Sequence, residues 1–211
     1  MVYTGTFMID ELYDRLVGRL KQKLPGYSAQ RKMSPSIRNG GEDYPDPKFS
    51  QASSVLILVF PKGNQVCTVL IERTAIGPHA SQISLPGGKR DKDDPSDGYT
   101  ALRETWEEVG VKPENIEIIG NLSPLYVPHS NFGIHPYIAF TTNEPDFIPN
   151  PDEVASILIV SIEQLFSSTT KRNRIISDGS MNINAPYYDV EGHMVWGATA
   201  MILSEFETIL K

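Results

Sequence analysis

Hydrophobic spacing predicts a helix at each end of the chain. Residues 7–24 carry isoleucine and leucine at helical intervals, and Pro25-Gly26 ends the pattern. The stretch from Met194 to Leu210 shows similar spacing and predicts a second long helix. Residues 28–50 are rich in proline, glycine, serine and charge, which predicts an irregular connection.

Short apolar runs between the two helices predict strands. Residues 55–60 and 66–72 are two such runs, and Gly63-Asn64 between them predicts a hairpin. The other predicted elements are strands at 81–85, 115–122, 134–141 and 154–160 and a short helix from Ile162 to Phe166. Because helices and strands are mixed without regular alternation, we predict an α+β fold, an α/β/α sandwich with a mixed β-sheet between helices.

Length and composition favour one globular domain. The chain has 211 residues, of which 40% are hydrophobic and 21% charged, and this is enough for one large core. We predict an N-terminal helix and irregular arm over residues 1–50, packed on a domain over residues 51–211. We expect no membrane span and no secretory signal, because no apolar run is long enough and the N-terminus lacks the required pattern. Cys67, the only cysteine, cannot form an internal disulfide, and we predict a cytoplasmic protein.

The net charge limits the class of partner. A formal charge of −7 argues against a large nucleic-acid surface, because phosphate backbones are bound by fields of lysine and arginine. The only dense basic run, Lys171, Arg172 and Arg174, is typical of a solvated turn, although it could also meet a substrate phosphate. A small anionic substrate would therefore need a bound cation or a local basic pocket.

Three glutamates lie within five positions of one predicted helix, which begins at Thr100 and ends at Gly110. At 100° per residue, Glu104, Glu107 and Glu108 converge on one side of this helix. The residues predicted to form its apolar side are Leu102, Thr105, Trp106 and Val109. The pattern therefore predicts an apolar back and a carboxylate front.

So many like charges need a positive partner. Neighbouring carboxylates on a partly buried helix face repel each other by on the order of a few kcal/mol. Arg103, four residues before Glu107, can neutralise part of this charge. Carboxylate oxygens are the ligands that Mg²⁺ and Mn²⁺ prefer, so the cluster indicates a divalent cation. The alternative is a solvated acidic face with no function.

The segment that contains this helix resembles the Nudix box, G-x5-E-x7-R-E-U-x-E-E-x-G-U, in which U is aliphatic. The matching residues are Arg103, Glu104, Glu107, Glu108, Gly110 and Val111. Thr105 departs from the pattern at an aliphatic position, and Pro95 stands where the first glutamate is expected. One extra loop residue restores the motif, with Asp94 in place of that glutamate. This variant resembles the branch of Nudix enzymes that hydrolyse coenzyme A.

An upstream signature of the same branch is also similar to this sequence. VLIERT (69–74) and HASQISLPGG (79–88) match L-L-T-x-R-S and H-x-G-x-V-x-F-P-G-G, and they include Arg73, His79, Gly87 and Gly88. Ser81 replaces a glycine, Thr74 replaces a serine, and the loop between Arg73 and His79 is one residue short. NPDEV (150–154) and VWGATAMIL (195–203) also resemble this branch.

The Nudix resemblance implies hydrolysis of a nucleoside diphosphate linked to another group, with Mg²⁺ or Mn²⁺ as cofactor. It implies Glu104, Glu107 and Glu108 as metal ligands, Arg103 as their orienting counter-ion, and one of these glutamates or Glu153 as general base. These five are the predicted catalytic residues, and the base stays open among them. The predicted substrate-binding residues are Arg73, His79, Gly87 and Gly88. Arg73 could instead form a structural ion pair, and Asp94 could contact metal through water or cap its loop.

The branch resemblance implies cleavage of coenzyme A or its derivatives to 4′-phosphopantetheine and adenosine 3′,5′-bisphosphate. One alternative keeps the fold and changes the substrate to ADP-ribose, NADH or another nucleoside diphosphate compound. Another is a non-catalytic module that senses a nucleotide. The expected partner is thus a small nucleoside diphosphate, with no nucleic acid and no membrane. A homodimer is compatible with the resemblance, and the N-terminal helix could serve it.

Overall fold

Two β-sheets and five α-helices make up the described part of the chain. The computed structural model describes residues 9–35, 51–75, 81–128, 130–177 and 182–211. The helices are α1 (Ile9–Leu20), α2 (Tyr27–Gln30), α3 (Asp97–Val109), α4 (Ile162–Leu165) and α5 (Gly197–Leu210), with 3-10 turns at Arg31–Met33 and Pro113–Asn115. The strands are β1 (Gln51–Lys62), β2 (Gln65–Arg73), β3 (Ile83–Ser84), β4 (Gly87–Lys89), β5 (Glu117–Asn121), β6 (Leu125–Val127), β7 (Phe132–Phe140), β8 (Val154–Ser161), β9 (Lys171–Ser177), β10 (Asn182–Val190) and β11 (His193–Trp196).

The main sheet is mixed, as predicted. Its strands run in the order β3-β2-β1-β7-β5, while β4 pairs with β1, β6 with β7 and β8 with β2. The pairing of β1 with β7 is parallel, and the other described pairs are antiparallel. β1 and β2 form the predicted hairpin, in which Lys62 pairs with Gln65 across the two-residue turn Gly63-Asn64.

Both faces of β1 are buried, which explains its nearly continuous apolar sequence. Alternate residues point in opposite directions. Leu56 and Leu58 pack in one core with Ala101 and other residues of α3. Ile57, on the opposite face, packs in a second core with α5 and α1. The sheet therefore lies between helices, and the predicted α/β/α architecture is confirmed.

The second sheet is a finding that apolar spacing missed. It has the order β11-β10-β9. The basic run that suggested a solvated turn lies in its edge strand β9, and the predicted start of the C-terminal helix is strand β11, so that α5 begins only at Gly197. Lys171 pairs with Glu207, and Arg172 pairs with Asp189 at 3.1 Å. β9 is largely polar and exposed, and β10 mixes polar residues and a proline with its buried Ala185, Tyr188 and Val190, so neither shows the regular hydrophobic alternation by which strands are recognised.

The N-terminal segment packs against α5. α1 begins and ends within the predicted 7–24 range, and residues 7 and 8 lie outside the described residues. Leu12 and Leu16 are fully buried in the core shared with α5. Part of the predicted irregular connection is helical, in α2 and the 3-10 turn after it, while residues 36–50 are not described. The apolar face of α1 is thus used within the chain, so a homodimer would have to use other surfaces.

Candidate active site

Helix α3 carries the predicted carboxylates, and its ends are fixed by the sequence around it. The Ser96 hydroxyl accepts a hydrogen bond from the backbone N–H of Tyr99 at 3.2 Å, so the helix begins before the predicted Thr100. Gly110 ends it in the left-handed conformation, with φ of 77°. A Cβ at Gly110 would lie 2.9 Å from the Ile148 side chain, so glycine is required there for space as well as conformation.

The buried face of α3 differs from the predicted apolar back. Trp106 is 50% exposed, whereas Glu108 is only 1% exposed. The buried stripe contains Ala101, Thr105 and Glu108, which follow one another at i, i+4 and i+7. The prediction was wrong about Trp106 because it assigned faces by hydrophobicity. The sheet instead buries a carboxylate and leaves an indole at the surface.

The buried carboxylate of Glu108 has two partners. The backbone N–H of Gly87 donates to its Oε2 at 2.8 Å, and Nη1 of Arg73 lies 3.4 Å from its Oε1. Burial raises the pKa of Glu108 to about 8, against the opposing effects of these two donors, and the charges of Glu104 and Glu153 raise it further. Burial thus favours the protonated form of this carboxyl, while the two donors favour its ionised form.

Glu104 lies against the paired glycines of the loop. A Cβ added at Gly88 would lie 2.3 Å from Oε2 of Glu104, so a larger residue would push this carboxylate out of its present position. At Gly87, with φ of 146°, a Cβ would lie 2.2 Å from the Ser54 carbonyl oxygen. Burial is the main cause that raises the pKa of Glu104, and the charges of Glu107 and Glu153 add to it while Arg103 opposes it. The two glycines thus let the backbone approach both buried carboxylates.

Arg103 holds the loop before α3 against the helix. Its Nε and Nη2 donate to the two carboxylate oxygens of Asp94 at 3.0 and 2.9 Å, and Nη2 also donates to the Lys89 carbonyl at 3.1 Å. Asp94 is buried, and hydrogen bonds from Arg103 keep its pKa well below the usual range. Of the two alternatives for Asp94, this geometry favours the loop-capping ion pair, and it agrees with the predicted counter-ion role of Arg103.

The remaining carboxylates of α3 are directed towards Arg103. Its Nη1 lies 2.8 Å from Oε1 of Glu104 and 2.9 Å from Oε2 of Glu107, whose side chain is 49% exposed. As a result, no three histidine, cysteine or carboxylate side chains within the described ranges are grouped closely enough to hold a metal ion. The three predicted ligands lie on one helix, but Glu104 and Glu107 would have to turn from Arg103 to share an ion with Glu108.

The chemistry of these residues nevertheless fits a hard divalent cation. The donors are carboxylate oxygens, and the room beside Glu104 depends on the missing Cβ of Gly88. Burial is the main cause that raises the pKa of both Glu104 and Glu108, and the nearby arginines only partly oppose it. A bound Mg²⁺ or Mn²⁺ would supply further positive charge and favour the ionised form of Glu108.

Glu153 comes to the site on the turn before β8. The backbone N–H of Asn150 donates to the Glu108 carbonyl at 3.0 Å, and the N–H of Glu153 donates to the Asn150 carbonyl at 3.1 Å. The N–H of Thr74 donates in turn to the Glu153 carbonyl at 3.0 Å, which ties this turn to the end of β2. Glu153 is exposed, and its charge acts on both Glu104 and Glu108. The predicted base candidates therefore lie within one electrostatic cluster.

One further prediction and one unpredicted cleft concern the rim of the site. His79 lies outside the described residues, so its predicted substrate contact stays a prediction. Beyond Arg103 lies a cleft of about 530 Å³, which the sequence did not reveal. The residues that line this cleft are Lys89, Arg90, Asp91, Lys92, Asp93, Asp94, Tyr99 and Arg103. Its positive and negative groups are nearly balanced, so it offers no strong preference for an anion.

A polar chain at the start of α3 was also missed. Asp97 accepts a hydrogen bond from Nη1 of Arg90 at 3.0 Å and lies 3.5 Å from Nδ1 of His135. Because these residues come from three separate elements, the sequence gives no local signal for their contact. They fix the first turn of α3 over the sheet.

Comparisons with known proteins agree with this architecture. The sequence model of the NUDIX domain matches residues 50–178, more than half of the chain. An uncharacterized Nudix hydrolase, NudL, from Pectobacterium atrosepticum is 34% identical over 177 residues, which cover 83% of this chain and 88% of that protein. Nudix hydrolase 15, mitochondrial, from Arabidopsis thaliana is 29% identical over 167 residues, which cover 75% of this chain but only 58% of the plant protein.

The fold has a solved counterpart in a MutT/nudix family protein from Enterococcus faecalis. The TM-score is 0.55 at 21% identity, and the match covers 80% of this chain and 65% of the other. None of the described helices is long and apolar enough to cross a membrane. The predicted cytoplasmic location stays a prediction. The domain match, the NudL relative and the carboxylate helix together establish the family: the chain belongs to the Nudix hydrolases.

Proposed function

We propose that this protein is a metal-dependent diphosphatase that cleaves coenzyme A or a derivative of it. The observation that carries the proposal is the state of Glu108, a buried carboxylate beside the Gly87 N–H with a pKa of about 8. A structural glutamate in such a position would be expected to have a full counter-charge. The one cationic partner of Glu108 in the described part of the chain is Arg73, at 3.4 Å and one-third exposed, and this arrangement supports a site for a cation that arrives with the substrate or before it.

The reaction adds water across the diphosphate. Water attacks one phosphorus, the bridging P–O bond breaks, and two phosphate monoesters form, here 4′-phosphopantetheine and adenosine 3′,5′-bisphosphate. When bound, Mg²⁺ or Mn²⁺ would supply positive charge to the phosphate oxygens and would make water a better nucleophile. Glu104, Glu107 and Glu108 would hold it. Arg103 holds Glu104 and Glu107 beside the site until they turn towards the ion, and a carboxylate of the cluster, with Glu153 among the candidates, accepts the proton that water loses.

Support for coenzyme A comes from the position of the upstream signature. Arg73 belongs to VLIERT, and its guanidinium lies 3.4 Å from the central carboxylate. Gly87 and Gly88, from the second half of the signature, contact Glu108 and Glu104 respectively. Residues that resemble the coenzyme A branch thus line the same site as the Nudix box. The earlier suggestion that Lys171 and Arg172 receive the 3′-phosphate loses support, because both are paired with carboxylates.

The test is product analysis by mass spectrometry in water enriched in ¹⁸O. Coenzyme A, ADP-ribose and NADH are each incubated with the protein and with Mg²⁺ or Mn²⁺. Glu108→Gln serves as the site variant and Glu163→Gln, an exposed position on α4, as the matched control. We expect adenosine 3′,5′-bisphosphate from coenzyme A with the wild type and the control only, and the label identifies which phosphorus is attacked.

Other outcomes lead to the alternatives. Cleavage of only ADP-ribose or NADH would mean that the upstream signature does not determine the substrate. Binding of nucleotides without cleavage of any compound, with either metal, would favour the sensing module. Activity that survives in Glu108→Gln would contradict the proposed site for every substrate.

A further inference from the structure

The guanidinium of Arg73 contacts the Glu108 carboxylate, which a bound metal ion would also need. The Arg73 side chain is 35% exposed, and its one ion-pair partner in the described part of the chain is Glu108, which is 1% exposed. The separation of 3.4 Å is long for an N–H···O hydrogen bond, whereas the Gly87 N–H bonds the other oxygen at 2.8 Å. Arg73 is therefore the exchangeable partner of this carboxylate, and the backbone of Gly87 is the fixed one.

The backbone of Arg73 is anchored, so exchange requires only its side chain to move. Its N–H donates to the Gln82 carbonyl at 3.0 Å, and the residue pairs with Val154 on β8. The side chain starts from the end of β2, next to the turn that carries Glu153. A guanidinium released from Glu108 would stay beside the site and could form bidentate contacts with a phosphate.

We propose that Arg73 is a displaceable counter-ion, which occupies Glu108 until a divalent cation binds there and is then released to hold the phosphate of the substrate. A metal ion and the Arg73 guanidinium compete for the Glu108 carboxylate because both are positively charged. When Arg73 leaves, Glu108 is free to bind the metal and the guanidinium is free to bind the substrate phosphate. The metal then binds first, and the protein becomes competent for its anionic substrate as a consequence. This inference rests on the proposed nucleoside diphosphate site but not on coenzyme A as the substrate.

The experiment measures two affinities separately at one fixed pH of 8.5. Mn²⁺ binding without nucleotide is followed by electron paramagnetic resonance, and ADP binding at a fixed free Mn²⁺ concentration is followed by calorimetry. The proteins are wild type, Arg73→Gln, Arg73→Lys and the matched control Arg172→Gln, whose arginine pairs with Asp189 on the second sheet. ADP supplies a nucleoside diphosphate without a pantetheine arm.

The proposal predicts shifts of opposite sign. In Arg73→Gln, Mn²⁺ should bind roughly 3–10-fold more tightly, and ADP should bind about tenfold more weakly to the metal-loaded protein, within the usual range of coupling between two sites. The Mn²⁺ affinity of Arg73→Lys should stay near that of the wild type, and its ADP affinity should lie between those of the wild type and Arg73→Gln. Arg172→Gln should change neither affinity. If Arg73→Gln is unstable, the lysine variant still carries the test, because its point charge should weaken ADP binding without weakening Mn²⁺ binding.

Two results would overturn the proposal. Equal or weaker Mn²⁺ binding in Arg73→Gln would show that Arg73 does not compete with the metal. Unchanged ADP binding would show that the released side chain does not reach the phosphate. Failure to cleave coenzyme A would leave both measurements valid, since they use ADP, and would count only against the proposed substrate.

Discussion

Glu108 and Glu207 are buried to nearly the same extent, on helices that pack against opposite faces of the main sheet, yet their surroundings differ. Glu207 receives Nζ of Lys211 at 2.7 Å, both oxygens contact Nζ of Lys171, and the Tyr188 hydroxyl donates at 3.1 Å. Burial alone would raise the pKa of Glu207, but the two lysines outweigh it and lower the pKa. The pKa of Glu108 is raised instead.

The difference separates a structural carboxylate from a functional one. Glu207 is ionised and satisfied, so it joins α5 to β9 and β10 without needing any ligand. Glu108 accepts a hydrogen bond from one backbone N–H, lies 3.4 Å from one arginine and has two acidic neighbours. Together with burial, these surroundings favour its protonated form. Both carboxylates are buried, and they differ in the charges around them: two lysines at Glu207, against one arginine and two glutamates at Glu108.

The largest expected effect is on catalysis. Glu108→Gln should lower kcat for the cleaved diphosphate by roughly 10²–10³-fold, because it removes a charge that acts in the transition state. Glu207→Gln should leave kcat nearly unchanged, since Glu207 contacts only the lysines and Tyr188. Steady-state kinetics at saturating Mg²⁺ checks both, and comparable losses in the two variants would remove the distinction between the carboxylates.

The pH dependence of stability is the next largest effect. A group with a raised folded pKa stabilises the protein below its unfolded pKa, and this stability is lost as pH rises through the folded value. For Glu108 the window runs from its ordinary value of 4.5 to about 8. The metal-free protein should therefore lose on the order of 2–4 kcal/mol between pH 5 and pH 9.

Urea unfolding across this pH range measures the loss. Mg²⁺ should reduce it by replacing the proton, and Glu108→Gln should reduce it without metal. If the free energy of unfolding of the metal-free wild type rises from pH 5 to pH 9, the pKa of Glu108 is not raised in the folded protein.

A smaller effect is expected on the folding stability of Glu207→Gln, because this substitution removes a carboxylate that is fully paired within the chain. The variant should lose about 2 kcal/mol, because the Tyr188 hydroxyl and two lysines lose their charged acceptor while the lysines stay partly hydrated. Thermal unfolding at pH 7 should show a decrease in Tm of several degrees. Glu108→Gln, measured without metal at the same pH, should show no decrease.

The smallest effect tests the exposed carboxylate of the cluster. Glu107→Gln should lower activity by about tenfold at low Mg²⁺, the low end of what the loss of a group near a metal costs. High Mg²⁺ should restore most of this activity, because Glu104 and Glu108 remain. A loss as large as that of Glu108→Gln, and not restored by metal, would place Glu107 at the centre of the site.

The sequence predicted the elements that hydrophobic spacing encodes. Helix α3, the β1–β2 hairpin and the mixed sheet all follow from local patterns and turn residues. It did not predict β9 to β11, because β9 is polar and exposed and the few buried residues of β10 and β11 are separated by polar ones without a regular period. The predicted face of α3 was wrong at Trp106 and Glu108, because the Gly87 N–H and Arg73 offset part of the cost of burying the carboxylate, and hydrophobic spacing does not report such partners.

The candidate site shows the same limit. Glu104 and Glu108 could be selected from spacing and resemblance, but the contact of Arg73 with Glu108 joins residues 35 positions apart. The bidentate pair of Arg103 with Asp94 needed the loop geometry to be distinguished from a metal contact. Sequence thus identified the residues, and the structure supplied their partners.

The parallel pairing of β1 with β7 has a consequence for the order of folding. Ile57 pairs with Ile138, about 80 residues later, whereas the hairpin partner β2 follows after two residues. Closing the longer loop costs more chain entropy, so we expect β1, β2, β4 and α3 to assemble before β5 and β7 are added. Strand β1, beneath the carboxylate helix, would then be paired on its β2 side before its β7 side. We expect any slow step of refolding to be the addition of β7 to β1.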